Sequence, residues 1–377
     1  MKVNLVLNQV PQLSETFLVT WMQQLVQKGY EVRVLVIGKW FLDRNDEKHF
    51  LKGIKYHSKL NLSIYFKGIF HRSKFESYKS AFKAQFLSLG NPNWVHFSYS
   101  AIGVAYTDEI PLLQKKGVKF MVSCRGTSDN IKPYIVKGRK GRLVKLFGCI
   151  DSVHCVSQEM ANRMIGDFGL EPSKAFVNRP AVDLKRFTFQ NIPRNTEKKI
   201  IVSTGRLEYV KGFPFALLAI KELIDNDIEV EYRIVGGGKE LENLQFSIQR
   251  LGLGNVVMLL GSKSSAEVIE EVSKADIYLS SSLSEGISNA VLEAMALGIP
   301  IVSTNVGGMN EVVIDNETGK LVEPYSSTAI STAILEIMAD EVNRNLMINN
   351  ARKLIENDFH LGRLGEVFDA EYRRLYV

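Results

Sequence analysis

The densest group of chemistry-bearing residues lies in "SSSLSEGISNAVLEAMALGIPIVSTNVGG", residues 280–308. A strand ending in serines runs into a short loop carrying Glu285 and Gly286, and a helix starts near Ser288 or Asn289. A helix N-terminus presents unpaired amides and the positive end of the backbone dipole, so it suits a diphosphate. Gly286 has no side chain where a ligand must approach the backbone. Glu293, one turn into the helix, is placed to accept hydrogen bonds from ribose hydroxyls, and Glu285, at the loop tip, from a sugar ring. Taken alone, the two glutamates also read as incidental carboxylates on a capped surface helix.

Two further segments carry charge or bare backbone. "GRLEYVKG" sets Arg206 and Lys211 at a strand's carboxyl end, between Gly205 and Gly212. Arg binds phosphate through two parallel hydrogen bonds, and Lys supplies a compact charge. Alone, this segment also reads as a surface turn that pairs with Glu208. "IVGGGKE" places Gly236, Gly237 and Gly238 after a strand but lacks the spaced glycines of a dinucleotide fingerprint, so alone it also reads as a flexible turn. Asp225 and Asp227 in "DND" superficially resemble a metal-binding pair. They fall at a helix end, so a solvated turn is expected and no metal ligand is assigned.

These residues need elements to hold them. In the first half, "KVNLVLN" reads as a strand, "SETFLVTWMQQLVQKGY" as a helix with Ser14 as its N-cap, and "EVRVLVIG" as the next strand. "WVHFSYS", "KFMVSCRG" and "SVHCVS" follow as strands. From residue 199 the same strand and helix alternation begins again, through "KIIVSTGRL", "VEYRIVGGG", "VVMLLG", "DIYLSSS" and "IPIVST". The expected fold class is α/β, with two doubly wound, Rossmann-like domains. The expected boundaries are 1–190 for the first domain, 191–357 for the second, and 358–377 for a C-terminal helix packing back on the first. The polar "TFQNIPRNTEKK" is the expected linker.

Composition bounds the setting. The 377 residues suffice for two domains, each with its own core. The start "MKVNLVLNQV" reads as a strand rather than a secretion leader, and no apolar run reaches the length of a membrane span. Three cysteines argue against a disulfide framework and for a reducing, cytoplasmic setting. Cys149, His154 and Cys155 lack zinc-ligand spacing and read as core. Residues 1–190 hold 29 Lys and Arg against 14 Asp and Glu, net +15, whereas the remainder carries 18 against 27, net −9. The basic half is read as facing phosphates, of an anionic membrane, a lipid-diphosphate acceptor or nucleic acid. Two stretches concentrate the charge. Residues 52–86 are basic and aromatic, and read either as solvated amphipathic helices or as an interfacial surface. "IKPYIVKGRKGRLVKLFGCI" sets six cations beside an expected apolar set of Ile135, Val136, Leu143, Leu146 and Phe147. No nucleic-acid reading motif accompanies either stretch, and no nucleic-acid partner is expected.

Together, "STGRLEYVKG", "RIVGGGKE" and the run from "LLGSKSS" to "GKLVEP" resemble the family 4 glycosyltransferases of the GT-B fold, over about residues 197–325. "PQLSETF", "WVHFSYSAIG" and "VSCRGTSD" resemble the same family more loosely. The resemblance implies two domains facing across a cleft and a nucleotide-diphosphate sugar as donor. It implies a retaining reaction with no metal or other cofactor. Arg206 and Lys211 would bind the diphosphate, Glu293 the ribose, and Glu285 the transferred sugar. Gly286, Ile287, Ser288 and Asn289 would supply amides. Gly236, Gly237 and Lys263 would flank the base, and Thr16 would approach the phosphates from the first domain.

The chain departs from the family on the acceptor side. The usual H-x-H appears as His96 and Ser98, and the usual H-G as Arg125 and Gly126. His96 is the remaining catalytic candidate there, although alone it also reads as a satisfied core histidine. Ser98 and Arg125 are acceptor-side candidates, with Arg125 suited to an anionic sugar or a phosphate. The expected acceptor is a glycan or lipid-linked molecule of envelope or exopolysaccharide synthesis. An expected peripheral contact with the membrane's inner face follows from the basic half. A sugar-nucleotide epimerase and a non-catalytic nucleotide-sugar-binding protein are the alternatives.

Overall fold

The computed structural model describes residues 1–8, 16–37, 54–58, 75–190 and 198–376. The chain forms two compact units, Met1–Arg179 with Leu364–Val377, and Pro180–Arg363. The first is built on parallel strands β1 (Lys2–Leu7), β2 (Glu31–Val36), β3 (Lys55–Ser58), β4 (Trp94–Phe97), β5 (Lys119–Cys124), β6 (Ser152–Cys155) and β7 (Ala175–Val177). Their order is β3-β2-β1-β4-β5-β6-β7. The second unit holds β8 (Lys199–Thr204), β9 (Val230–Val235), β10 (Val257–Leu259), β11 (Ile277–Ser280), β12 (Ile301–Thr304) and β13 (Lys320–Val322), ordered β10-β9-β8-β11-β12-β13. Each sheet grows outward from its first strand and then resumes on that strand's other side. The switch in order falls between β1 and β4 in one unit and between β8 and β11 in the other. Crevices for ligands open at the carboxyl ends of strands at such switches. Strands β3, β7 and β13, of three or four residues each, were not expected, because their apolar runs are too short to stand out.

Central strands such as "KVNLVL" are apolar nearly throughout because both faces of a parallel sheet are covered. Helix α1 (Thr16–Gln27) buries Leu18, Trp21, Met22 and Leu25, one face at helical spacing. Helix α2 (Arg139–Cys149) starts where Gly138 takes φ 72°, and buries Leu143, Leu146 and Phe147. Ile135 and Val136 do not join that set as expected. They precede the Gly138 turn and stay exposed. Helix α3 (Gln158–Phe168) is capped by Ser157, which accepts from the Met160 amide at 3.1 Å, and ends at Gly169 in the left-handed region.

The units divide at Arg179/Pro180 rather than at residue 190, and the chain rejoins the first unit at Leu364 rather than after residue 357. Packing explains the shift. Val182 and Phe187 are buried in a core of the second unit with Phe359, and the Val182 amide donates to the Phe359 carbonyl at 2.8 Å. Residues 191–197 of the expected linker, Ser14, and positions 52–53 and 59–74 of the basic aromatic stretch lie outside the described residues.

Helix α7 (Leu361–Arg374) completes the first unit from the far end of the chain. Phe368 packs on Trp21 and on His154, each with ring centroids 4.9 Å apart. The Trp94 indole donates to the Tyr372 carbonyl at 3.2 Å, and the Ser152 hydroxyl to Glu371 at 2.5 Å. A buried hydrogen-bonded chain crosses the sheet beneath it. It joins Tyr372 to His96 Nδ1 (2.7 Å), His96 Nε2 to Ser123 (2.8 Å), Ser123 to His154 Nδ1 (2.8 Å), and His154 Nε2 to the Asn178 carbonyl (2.8 Å). A carbonyl can only accept, so His154 carries its proton on Nε2. It follows that Ser123 donates to His154, His96 donates to Ser123, and Tyr372 donates to His96.

Both imidazoles are neutral in this chain, since burial drives their pKa values well below 6.5. The unfolded chain therefore binds more protons than the folded one at low pH. The stability contributed is intact above the unfolded value and is lost as pH falls through about 6.5. Two such groups give a limiting slope of about 2.7 kcal/mol per pH unit. Denaturant unfolding of wild type at pH 7.5 and pH 5 should show this loss, and His154→Gln should flatten it. An unchanged slope in the variant would contradict the assignment.

Candidate functional site

The candidate site lies on the second unit, where the carboxyl ends of β8, β9, β11 and β12 gather. After β8, the chain turns through Gly205 and Arg206 into a short 3-10 turn, Tyr209–Lys211, and then into α4 (Phe213–Asp225). Gly212 makes that route possible. It takes φ 63°, and a Cβ there would lie 2.0 Å from the Ser281 carbonyl oxygen, so backbone packs directly on backbone. The Ser281 hydroxyl donates to the Lys211 carbonyl at 3.0 Å, and the Leu283 amide to the Val210 carbonyl at 2.7 Å. The loops after β8 and β11 are thereby fixed together.

Charge closes the same junction. Lys211 Nζ donates to Glu285 Oε1 at 2.5 Å, and the Ser282 hydroxyl reaches that oxygen at 2.9 Å. Both side chains of the ion pair are largely buried. Beneath them, the Tyr278 hydroxyl spans from β11 to β8 and lies 2.9 Å from the Thr204 hydroxyl and 3.3 Å from its amide. Burial raises the pKa of this phenol, and the nearby Glu293 and Glu285 carboxylates raise it further.

Helix α6 (Asn289–Leu297) begins at Ser288, whose side chain makes no capping bond, so its first turn is not closed by its own residue. The Oδ1 atom of Asn289 is buried without a partner among the described residues. Gly307 packs behind the Glu285 loop, where a Cβ would meet the Glu285 carbonyl at 2.0 Å, and the Gly308 amide donates to the Gly286 carbonyl at 2.7 Å. Burial pushes the Glu293 carboxyl up to about 7, opposed by the positive charge of Arg186. A carboxylate held in so little water gains from any hydroxyl donor brought to it.

Other expected residues fall around this centre. Arg206 is two-thirds exposed and pairs with Glu208 at 3.3 Å, the surface ion pair that its sequence alone allowed. The Gly236 amide donates to the Gly261 carbonyl at 2.8 Å, and a Cβ on Gly237 would meet the Ser262 hydroxyl at 2.7 Å. Lys263 follows, just before Ser264, which forms a capping box with Glu267 at the start of α5 (Ser265–Ser273). Asp225 pairs with Lys221, and Asp227 sits at φ 59°, which makes "DND" a turn. No group of three or more potential metal ligands occurs among the described residues. The sequence did not single out Tyr278, Ser282 or Gly307. Tyr278 reads as ordinary strand core, and the only signal for Gly307 is the pair "GG" after a strand.

The first unit holds the remaining candidates. Thr16 begins α1. His96 is wholly buried and both ring nitrogens are engaged in the chain to α7, the arrangement of the satisfied core histidine that its sequence alone also allowed. Ser98 is likewise buried and donates its hydroxyl to the Val6 carbonyl at 3.0 Å. Arg125 donates to the Ser98 carbonyl at 3.2 Å and lies over the Trp21 ring. Burial lowers its pKa to about 10. A cavity of about 330 Å³ opens at the carboxyl ends of β1, β2 and β4, lined by residues that include Leu7, Asn8, Ile37, Tyr99, Ile102 and Ser128.

Removing one partner of the Lys211–Glu285 pair strands the other charge in little water. Lys211→Met or Glu285→Gln should each cost about 1–3 kcal/mol, and the double variant less than their sum. Urea unfolding of the four proteins checks this. Strictly additive losses would mean that the pair is not coupled.

Two family descriptions match the chain. "Glycosyltransferase Family 4" covers residues 14–186, and "Glycosyl transferases group 1" covers residues 185–354. WcaL of Salmonella typhimurium, a glycosyltransferase named for colanic acid biosynthesis, is 31% identical over 223 residues, 57% of this chain and 55% of that protein. AmsK of Erwinia amylovora, an amylovoran biosynthesis glycosyltransferase, is 27% identical over 272 residues, 71% of this chain and 66% of that protein. The matches thus span about half to two thirds of these relatives' lengths. Among solved structures, Anabaena HepE in complex with UDP and glucose superposes over 100% of both chains with a TM-score of 0.81 and 16% identity.

Proposed function

We propose a function from the premise that this chain belongs to the family 4 glycosyltransferases of the GT-B fold. It transfers a sugar, with retention of configuration, from a nucleotide-diphosphate sugar to a glycan or lipid-linked acceptor. The relatives named for colanic acid and amylovoran support exopolysaccharide synthesis as the setting. The HepE complex makes uridine diphosphate sugars the first donors to try.

One observation carries this reading: Lys211, Glu285, Glu293 and the open first turn of α6 converge at the carboxyl edge of the second sheet, at its switch in strand order. Arg206, Lys211 and the amides from Gly286 to Asn289 hold the donor diphosphate and stabilise the charge that builds on it as it leaves. Glu293 accepts from the ribose hydroxyls, and Glu285 from the transferred sugar. Gly236, Gly237 and Lys263 flank the base. The acceptor hydroxyl attacks from the face on which the diphosphate departs, and the cavity beside Tyr99 and Ser128 is the place to seek its binding residues. No metal is required, since the cations and amides meet the diphosphate charge.

Thermal unfolding with a panel of UDP-, GDP- and ADP-sugars tests the donor directly. The right donor at one hundred times its Kd should add about 2.7 kcal/mol of stability. Arg206→Ala should leave the fold intact and lower transfer by at least about a hundredfold, the scale of one lost charge-stabilising group. Wild-type transfer should continue in EDTA. A folded Arg206→Ala enzyme with full activity would overturn the assignment, and donor consumption without any acceptor would replace it with epimerisation or hydrolysis.

Glu293 adds a pH signature. Its ionised form accepts from the ribose, and its carboxyl titrates at about 7 in the free protein. Donor affinity should therefore fall as pH drops below 7, by up to about tenfold per unit. Glu293→Gln should remove that dependence. Calorimetric Kd values at pH 6 and pH 8 are the measurement.

A further inference from the structure

We infer that the first unit carries a docking face for an anionic lipid bilayer, made by the turn into α2 and the outer side of that helix. Pro133 is buried and anchors the segment, whereas the three residues after it are not covered. Ile135 is 70% exposed and Tyr134 51%, with Val136 beside them and Val144 exposed in the second turn of α2. Gly138, at φ 72°, turns the chain between these apolar residues and the helix.

Cations flank this apolar tip along the chain. Lys132, Lys137, Lys140 and Arg142 are all exposed. No acidic residue occurs from 130 to 150. Asp129, the nearest in sequence, is fully buried. Lys145, at the far end of the helix, pairs with Asp108, and the Tyr134 hydroxyl meets Asp167.

The two signals fit one occupant. Exposed apolar side chains ringed by charge mark an interaction site, and stable attachment to a bilayer needs both a buried apolar group and a basic patch. The charges attract an anionic leaflet, and the apolar tip reaches into the zone below the headgroups. A second copy of this chain fits poorly, because a twofold contact would bring the same cations face to face. No helix among the described residues is long and apolar enough to cross a membrane, so this contact lies on the surface.

Flotation of the full chain with vesicles of phosphatidylcholine containing about one third phosphatidylglycerol tests the inference. Binding should exceed that to pure phosphatidylcholine and weaken with salt. Lys137→Ser/Lys140→Ser should weaken it about 25-fold, at about fivefold per cation. Ile135→Ser/Val136→Ser should weaken it about tenfold or more with the charge unchanged. Absence of binding, equal binding to both vesicle types, or binding indifferent to both variants would overturn the inference. So would a duplex DNA that displaces the vesicles at equal salt, or a dimer that Ile135→Ser/Val136→Ser dissolves. The donor-dependent thermal shift is measured on the same proteins. Its presence in the variants shows that they fold, and its absence in wild type bears on the donor site alone.

Discussion

The ion pair between Lys211 and Glu285 is the interaction on which the candidate site depends. It ties a loop after β8 to a loop after β11, 74 residues apart in sequence. An ion pair of this kind gives little net stability, because desolvating two charges offsets most of their attraction. Its value lies in position. It holds a cation and a carboxylate beside the N-terminus of α6 and needs accurate backbone placement. Gly212 and Gly307 supply that placement by letting carbonyl oxygens approach where a Cβ would collide. The parallel sheet gathers the strand ends, and the glycines close the loops.

The first unit is organised by a different constraint. Two neutral imidazoles, a serine and a tyrosine form one directed chain of hydrogen bonds that ends on a backbone carbonyl. Each member is buried, so leaving any one unpaired would cost more than its bond contributes. The chain fixes both tautomers and seats α7 on the sheet. It also gives both ring nitrogens of His96 a partner.

Much of the fold was legible in the sequence because its signals are local. Apolar runs of five or six residues, alternating with helical periodicity, mark the long central strands. Glycines at 205, 212 and 236–238 mark the strand ends. The short edge strands were not legible, since three residues such as "AFV" carry no period. The units divide before the polar "TFQNIP" for a similar reason: Val182 and Phe187 just ahead of it are buried with Phe359, far later in the chain. For the site, the types and order of Arg206, Lys211, Glu285 and Glu293 were legible, whereas the salt link between two of them was not. Sequence also left His96 with two readings, which only its burial and its two partners separate.

The route of the chain bears on the order in which the protein is made. The second unit is continuous from Pro180 to Arg363, but the first is completed only by residues from Leu364 onward. During vectorial synthesis, β1 to β7 leave the ribosome with the seats for Phe368 and Tyr372 unfilled. His96 then lacks its phenolic donor, and Trp94 the carbonyl that its indole meets. The first unit therefore closes only after the intervening unit has had its whole sequence available. Through that interval, the apolar floor beneath α7 lacks its cover.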